Sequence, residues 1–179
     1  RLTDLDLHCL RLCVKHTKGR FPRHYNFNLF PSTLLEAGAV EIANILDTAA
    51  DATYCIELNE QTIVGDPNAV RDKFSLLRNK GVYLAIKDIS FGARSLEALL
   101  LLDPDFIRID KSFLVYLKDP NLKKRCWARL INMCRALSSN IIAEGIENQA
   151  DAQLIEDLGV DFAQGYFFGG LEEALGEQK

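Results

Sequence analysis

The chain has 179 residues, 48% of them hydrophobic, and a formal net charge of -4. That length and apolar content suit one sizeable core. The acidic balance excludes a general nucleic-acid-binding surface, which is basic, and no apolar run approaches the roughly 18 residues that span a bilayer. No secretory signal is visible at the start. The five cysteines, Cys9, Cys13, Cys55, Cys126 and Cys134, are odd in number and lie within apolar patterns, so buried, reduced thiols of a cytoplasmic protein are expected. With no histidine cluster there is no zinc signature.

The first segment, Leu2 to Lys18, carries Leu5, Cys9, Leu12 and Cys13 at helical spacing and stops at Gly19. His24 to Pro31 alternates like a strand. Ser32 is expected to cap a helix running to about Asp47. Tyr54 to Glu60 is the second predicted strand. Asp66-Pro67 opens a helix to about Asn79, with proline at its first position. Val82 to Ile86 is the third strand and Ser95 to Leu102 the helix after it. Phe106 to Asp110 is the fourth, followed by an amphipathic helix from Leu122 to Leu137 that carries the sole tryptophan, Trp127.

Asn140 to Glu144 reads as the fifth strand and ends on Glu144-Gly145-Ile146-Glu147. Residues three apart on a flat strand face opposite ways, so a turn at Gly145 is expected to bring both carboxylates to one side. A helix from Ala150 to Leu158 and a sixth strand from Phe162 to Phe168 follow. The polar residues 172–179 read as a tail, leaving residues 1–171 as one domain.

This alternation is the rhythm of repeated βα units and a parallel sheet. An open doubly wound sheet and an eight-stranded barrel both fit it. Asn28, Glu57, Asp88, Asp110, Glu144 and Gln164 each fall at or near the end of a different predicted strand. In a barrel those ends meet at one mouth, where active sites sit. Such a barrel takes about 250 residues, and six units are present, so N-terminal strands are expected to be missing from this chain.

The ordered set Asn28, Glu57-Leu58-Asn59-Glu60, Ile109-Asp110-Lys111-Ser112-Phe113, Glu144-Gly145-Ile146-Glu147 and Gln164-Gly165-Tyr166 resembles the EAL domain, the bacterial phosphodiesterase module that hydrolyses cyclic di-GMP. The resemblance implies a TIM-type (β/α) barrel with one antiparallel strand. It also implies magnesium or manganese ions at the strand ends, where hard cations take oxygen ligands and two of them hold an in-line displacement. By this resemblance Asn28, Glu57, Asp88 and Glu144 are metal ligands, Glu144 and the residue at position 108 are catalytic, and Asp110, Glu147, Gln164 and Tyr166 lie on the ligand.

Three departures stand against that implied activity. The Glu-Ala-Leu motif belongs on a first strand upstream of Arg1, and the Glu172-Glu173-Ala174-Leu175 of the tail is out of place. At Lys87-Asp88-Ile89-Ser90-Phe91-Gly92 the family has two aspartates in succession, and Lys87 replaces the first of them. Its ammonium repels a divalent cation there. The two readings of it are a pair with Glu57 or Asp88 and a side chain that swings out to solvent. The altered loop, with Phe91 and Ala93-Arg94, is one that the family uses in dimerisation and regulation. Arg108 stands for a lysine near the attacking water, and arginine is planar and bulkier.

The expectation is therefore a degenerate, non-catalytic EAL domain of cyclic di-GMP signalling, acting as a receptor for cyclic di-GMP or as a protein-binding module. An active, metal-dependent phosphodiesterase giving linear pGpG is the alternative. An attached sensor or GGDEF domain, a homodimer and a cytoplasmic location for this segment are further expectations of the resemblance.

Overall fold

The computed structural model describes residues 1–17, 24–46, 52–63, 66–89, 92–114, 119–137 and 139–170. They form two compact units, Arg1–Asp105 and Phe106–Lys179.

In the first unit three strands, β1 (His24–Asn28), β2 (Thr53–Asn59) and β3 (Tyr83–Lys87), pair in parallel in that order. Helices α1 (Leu2–Thr17), α2 (Pro31–Ala37), α3 (Ala39–Leu46), α4 (Pro67–Arg78) and α5 (Ala93–Leu102) accompany them. Strand β2 is buried from Tyr54 to Leu58, as a central parallel strand covered on both faces must be. Ile56, Leu58, Leu84 and Ile86 share the core with Leu34, Ile42, Phe74, Leu77 and Leu99 from the helices. Asp66 caps α4 by accepting the Asn68 amide at 2.9 Å, with Pro67 at the first helical position, as the sequence predicts. That hydrogen bond also holds the Asp66 carboxyl below its ordinary range.

Several expected boundaries are corrected. The predicted helix from Ser32 to Asp47 is two helices, broken at Gly38, whose φ of 81° is a left-handed conformation that glycine adopts without strain. It starts at Pro31 rather than at a Ser32 cap. The first strand stops at Asn28. The second ends at Asn59, and Glu60 begins a 3-10 turn, Glu60–Thr62. In α1 the face that packs is Leu7, Leu10, Val14 and Thr17, whereas Leu5, Cys9, Leu12 and Cys13 are exposed. The expectation of buried thiols accordingly fails for Cys9 and Cys13. It holds for Cys55 and Cys134, and none of the five forms a disulfide. The reason is that α1 carries two apolar stripes, and docking on α2 and α3 selects one.

In the second unit β4 (Phe106–Asp110), β5 (Asn140–Glu144) and β6 (Phe162–Ala163) pair in parallel. A 3-10 turn, Lys111–Leu114, follows β4, and helices α6 (Pro120–Ala136) and α7 (Gln149–Asp157) connect the strands. Trp127, Leu130, Ile131 and Cys134 of α6 join Ile107, Ile109, Ile141 and Ala143 in the core. Caps again mark the helix starts: Asp119 accepts from the Asn121 amide and Asn148 from the Asp151 amide, each at 2.9 Å. The predicted sixth strand, Phe162 to Phe168, shortens to Phe162–Ala163, because the chain turns after Gln164.

Parallel strands alternating with helices make this an α/β fold. Among the described residues no helix is long and apolar enough to cross a membrane. Ser90, Phe91, residues 172–179 and the side chain of Arg94 lie outside the described residues.

Candidate ligand site

Parallel register aligns the polar strand ends of the first unit. Asn28 is paired with Glu57, and Asn59 with Lys87. Register partners point to one face of the sheet, and Asn28, Glu57, Asn59 and Lys87 line one cavity of about 210 Å³ together with Asp6, Leu29, Phe30 and Thr62. Asp6 accepts a hydrogen bond from the Phe30 amide at 2.9 Å, which fixes the bend where β1 passes into α2. Glu57 is buried, at 5% exposure.

Asp88 sits one residue past β3 with φ 56°, a left-handed conformation that costs a non-glycine residue energy unless its surroundings hold it. Here Asn59 Nδ2 donates to Asp88 Oδ2 at 2.6 Å, and Gln61 Nε2 donates to the Asp88 carbonyl at 3.3 Å. The structure does not bring Asp88 into the cavity lining. Of the two partners weighed for Lys87, the Asp88 carboxylate meets Asn59 instead.

The donor set tests the implied metal. Among the described residues no three histidine, cysteine, aspartate or glutamate side chains gather to hold an ion. Lys87 lines the cavity with Asn28 and Glu57. Two unit charges about 4 Å apart repel by roughly 4 kcal/mol at an effective dielectric near 20, and a divalent ion doubles that. The same lining offers oxygen donors from Asp6, Asn28, Glu57 and Asn59, the ligand type of hard cations, with the Lys87 charge set against them.

In the second unit Asp110 is the register partner of Glu144. Arg108 is buried, at 5% exposure. Its Nε donates to Glu144 Oε1 at 2.5 Å, and its terminal nitrogen makes short contacts with Glu144 Oε1 and Gln164 Oε1. Three sequence-predicted site residues thus form one charge-assisted network. Asp110 turns inward on its own chain, with Oδ1 accepting the Ser112 amide at 2.7 Å. Tyr166 is 71% exposed.

Gly145, with φ 74°, makes the turn the sequence predicts. The turn does not leave Glu147 beside Glu144 as an unpartnered second carboxylate: Glu147 binds Lys111 Nζ at 2.9 Å, and Asp151 binds the same ammonium at 3.3 Å. The Glu147 hydrogen bond raises the Lys111 pKa, partial burial opposes it, and Asp151 reinforces it. The segment around Gln164 closes on the same turn, with backbone bonds from Gln164 to Ala143, from Ile146 to Gln164 and from Phe167 to Ile146 at 2.8 to 3.1 Å. A Cβ at residue 165 would stand 1.9 Å from the Ile146 carbonyl oxygen, so only glycine fits. Sequence reasoning missed the roles of Lys111, Asp151 and Asn59. Lys111 stands beside Asp110 in a recognisable motif, but nothing local marks its distant partners.

The family model described as the EAL domain matches residues 1–170. The chain belongs to the EAL domain family. Over 143 residues it is 27% identical to the cyclic di-GMP phosphodiesterase TpdA of Vibrio parahaemolyticus, covering 80% of this chain and 25% of that one. The crystal structure of the EAL domain of Mycobacterium smegmatis DcpA superposes with a TM-score of 0.71 at 28% identity, over 81% of this chain and 66% of that one. PaMucR phosphodiesterase, solved as a c-di-GMP complex, gives 0.72 at 25% identity, over 93% and 68%. These likenesses establish the fold class as α/β, of the TIM-type barrel kind of EAL domains. The chain spans 22% and 25% of the length of two curated relatives it matches.

Proposed function

We propose that this chain is a degenerate EAL domain that binds cyclic di-GMP without hydrolysing it, a receptor in cyclic di-GMP signalling. The observation that carries the reading is the presence of Lys87 in the cavity lined by Asn28 and Glu57. A fixed ammonium there opposes the cation that the family's chemistry uses, and supplies positive charge of its own to an anionic ligand. Arg108 adds to the case. Its guanidinium already holds Glu144 and Gln164, so Glu144 is compensated by a protein cation rather than left open as a metal ligand. Losing one electrostatic element of this kind typically costs two to three orders of magnitude in rate.

The ligand assignment is supported by family membership and by the relatives named above. A guanidinium matches a phosphodiester oxygen in charge and geometry, which is the chemical role proposed for Arg108. Gln164 orients Arg108, and the exposed Tyr166 ring offers a surface for a base.

The test has two arms. The protein is incubated with cyclic di-GMP and manganese, and linear product is sought; none is expected. It is then titrated calorimetrically with cyclic di-GMP in EDTA, where saturable binding is expected. Clear turnover overturns the non-catalytic reading, and absence of heat and of any ligand-induced shift overturns the receptor.

A further inference from the structure

Lys111 is the first residue of the 3-10 turn after β4. Its aliphatic stem lies on the Gly145 turn: a Cβ at residue 145 would meet Lys111 Cγ at 3.2 Å and Cδ at 3.6 Å. Its ammonium reaches past that turn to Glu147 at 2.9 Å and to Asp151, in the first turn of α7, at 3.3 Å. Asp151 is held in turn by Asn148, whose Nδ2 donates to Asp151 Oδ2 at 3.0 Å while its Oδ1 caps α7. One side chain therefore ties the end of β4 to the bend at Gly145 and to the chain that follows it.

We propose that Lys111 is a positioning residue, an ionic latch that holds the Glu144–Glu147 turn in the conformation in which Glu144 meets Arg108 and Gln164. The consequence for ligand binding rests on the receptor reading; the latch itself does not. The turn needs such a device. Gly145 has the greatest backbone freedom of any residue type, and a glycine hinge directly after a binding carboxylate lets that carboxylate move by ångströms unless something crosses the hinge. Side chains that act in a site must be held close to their working geometry by a supporting shell. Lys111 crosses this hinge with both its stem and its charge. Opening the latch frees the turn, and the Ile146 amide then loses its bond to the Gln164 carbonyl.

The test compares the parent with Lys111→Met, which keeps the stem but not the charge, and with Lys111→Arg, which keeps both. Amide hydrogen exchange at Ile146 and Phe167 reports the turn directly. It is expected to quicken at least tenfold in Lys111→Met and to return to within about twofold of the parent in Lys111→Arg. Raising the salt concentration is expected to quicken exchange in the parent and to leave Lys111→Met unchanged, because screening acts on the ion pairs alone. Equal exchange in parent and Lys111→Met, or loss that Lys111→Arg does not restore, overturns the latch. Cyclic di-GMP affinity in EDTA is measured on the same proteins and should fall at least fivefold in Lys111→Met. If the parent binds no ligand, the receptor reading fails and the exchange data still decide the latch.

Discussion

Arg108 Nε lies 2.5 Å from Glu144 Oε1, with the arginine side chain 5% exposed and the glutamate 23%. A guanidinium this deeply buried needs its carboxylate, because removing one partner leaves an uncompensated charge away from water. Breaking such a pair typically costs about 3 to 5 kcal/mol. Access of water to Glu144 moderates the figure here. Arg108→Met is expected to lower unfolding free energy by about 2 to 3 kcal/mol in chemical denaturation, and to abolish cyclic di-GMP binding. A variant as stable as the parent would show that the network carries no net stabilisation.

Lys87→Asp exchanges a cation for a carboxylate in the cavity that already contains Asn28, Glu57 and Asn59. Relief of like-charge repulsion worth roughly 4 kcal/mol per unit charge, with a new oxygen donor, should tighten manganese binding by at least tenfold. Titration calorimetry of the two proteins with manganese chloride measures it. Equal affinities would mean that the ammonium does not govern cation entry.

Gly165→Ala should be among the most damaging single-methyl additions in the second unit. The new Cβ would stand 1.9 Å from the Ile146 oxygen and 2.4 Å from its nitrogen. Both are backbone atoms already committed to hydrogen bonds, so they cannot swing aside as a flexible side chain does. Overpacking of this kind costs about 3 kcal/mol, read as a fall in Tm of about 6 to 12 °C for a protein of this size. The Ile146 and Phe167 amides should lose exchange protection with it.

The cysteines should divide by accessibility. Burial pushes the Cys134 thiol up to about 11, so at pH 8 it stays protonated and enclosed, and is inert to alkylation. Burial also raises Cys13, with a further push from neighbouring Cys9, yet both thiols are exposed. Iodoacetamide at pH 8 followed by peptide mass analysis should label Cys9 and Cys13 and spare Cys55 and Cys134 until the chain is denatured. The sign for stability follows. A thiol whose folded pKa exceeds the ordinary 9.0 favours the folded state below pH 9. That contribution is lost as pH rises from 9 towards 11, because the unfolded chain ionises first.

Local chemistry was enough for much of the architecture. Apolar runs bounded by turn residues located all six strands to within a few positions, and Asp66-Pro67 marked the start of α4 because an aspartate cap and a first-position proline act on their nearest neighbours. The residues at the strand ends, from Asn28 to Gln164, were legible for the same reason, since a strand's end and its alternation are read along the chain.

Contacts between distant segments were not. The face of α1 that packs could not be chosen from its own sequence, since Leu5, Cys9 and Leu12 have the same helical spacing as Leu7, Leu10 and Val14. The sixth strand shortened because Gly165 meets the backbone of Ile146. Asp88 turned towards Asn59, and Glu147 towards Lys111. The sequence by itself determined which polar groups end the strands, a property of local pattern. Only the tertiary structure decided which cation each carboxylate meets, because that depends on distances across the fold.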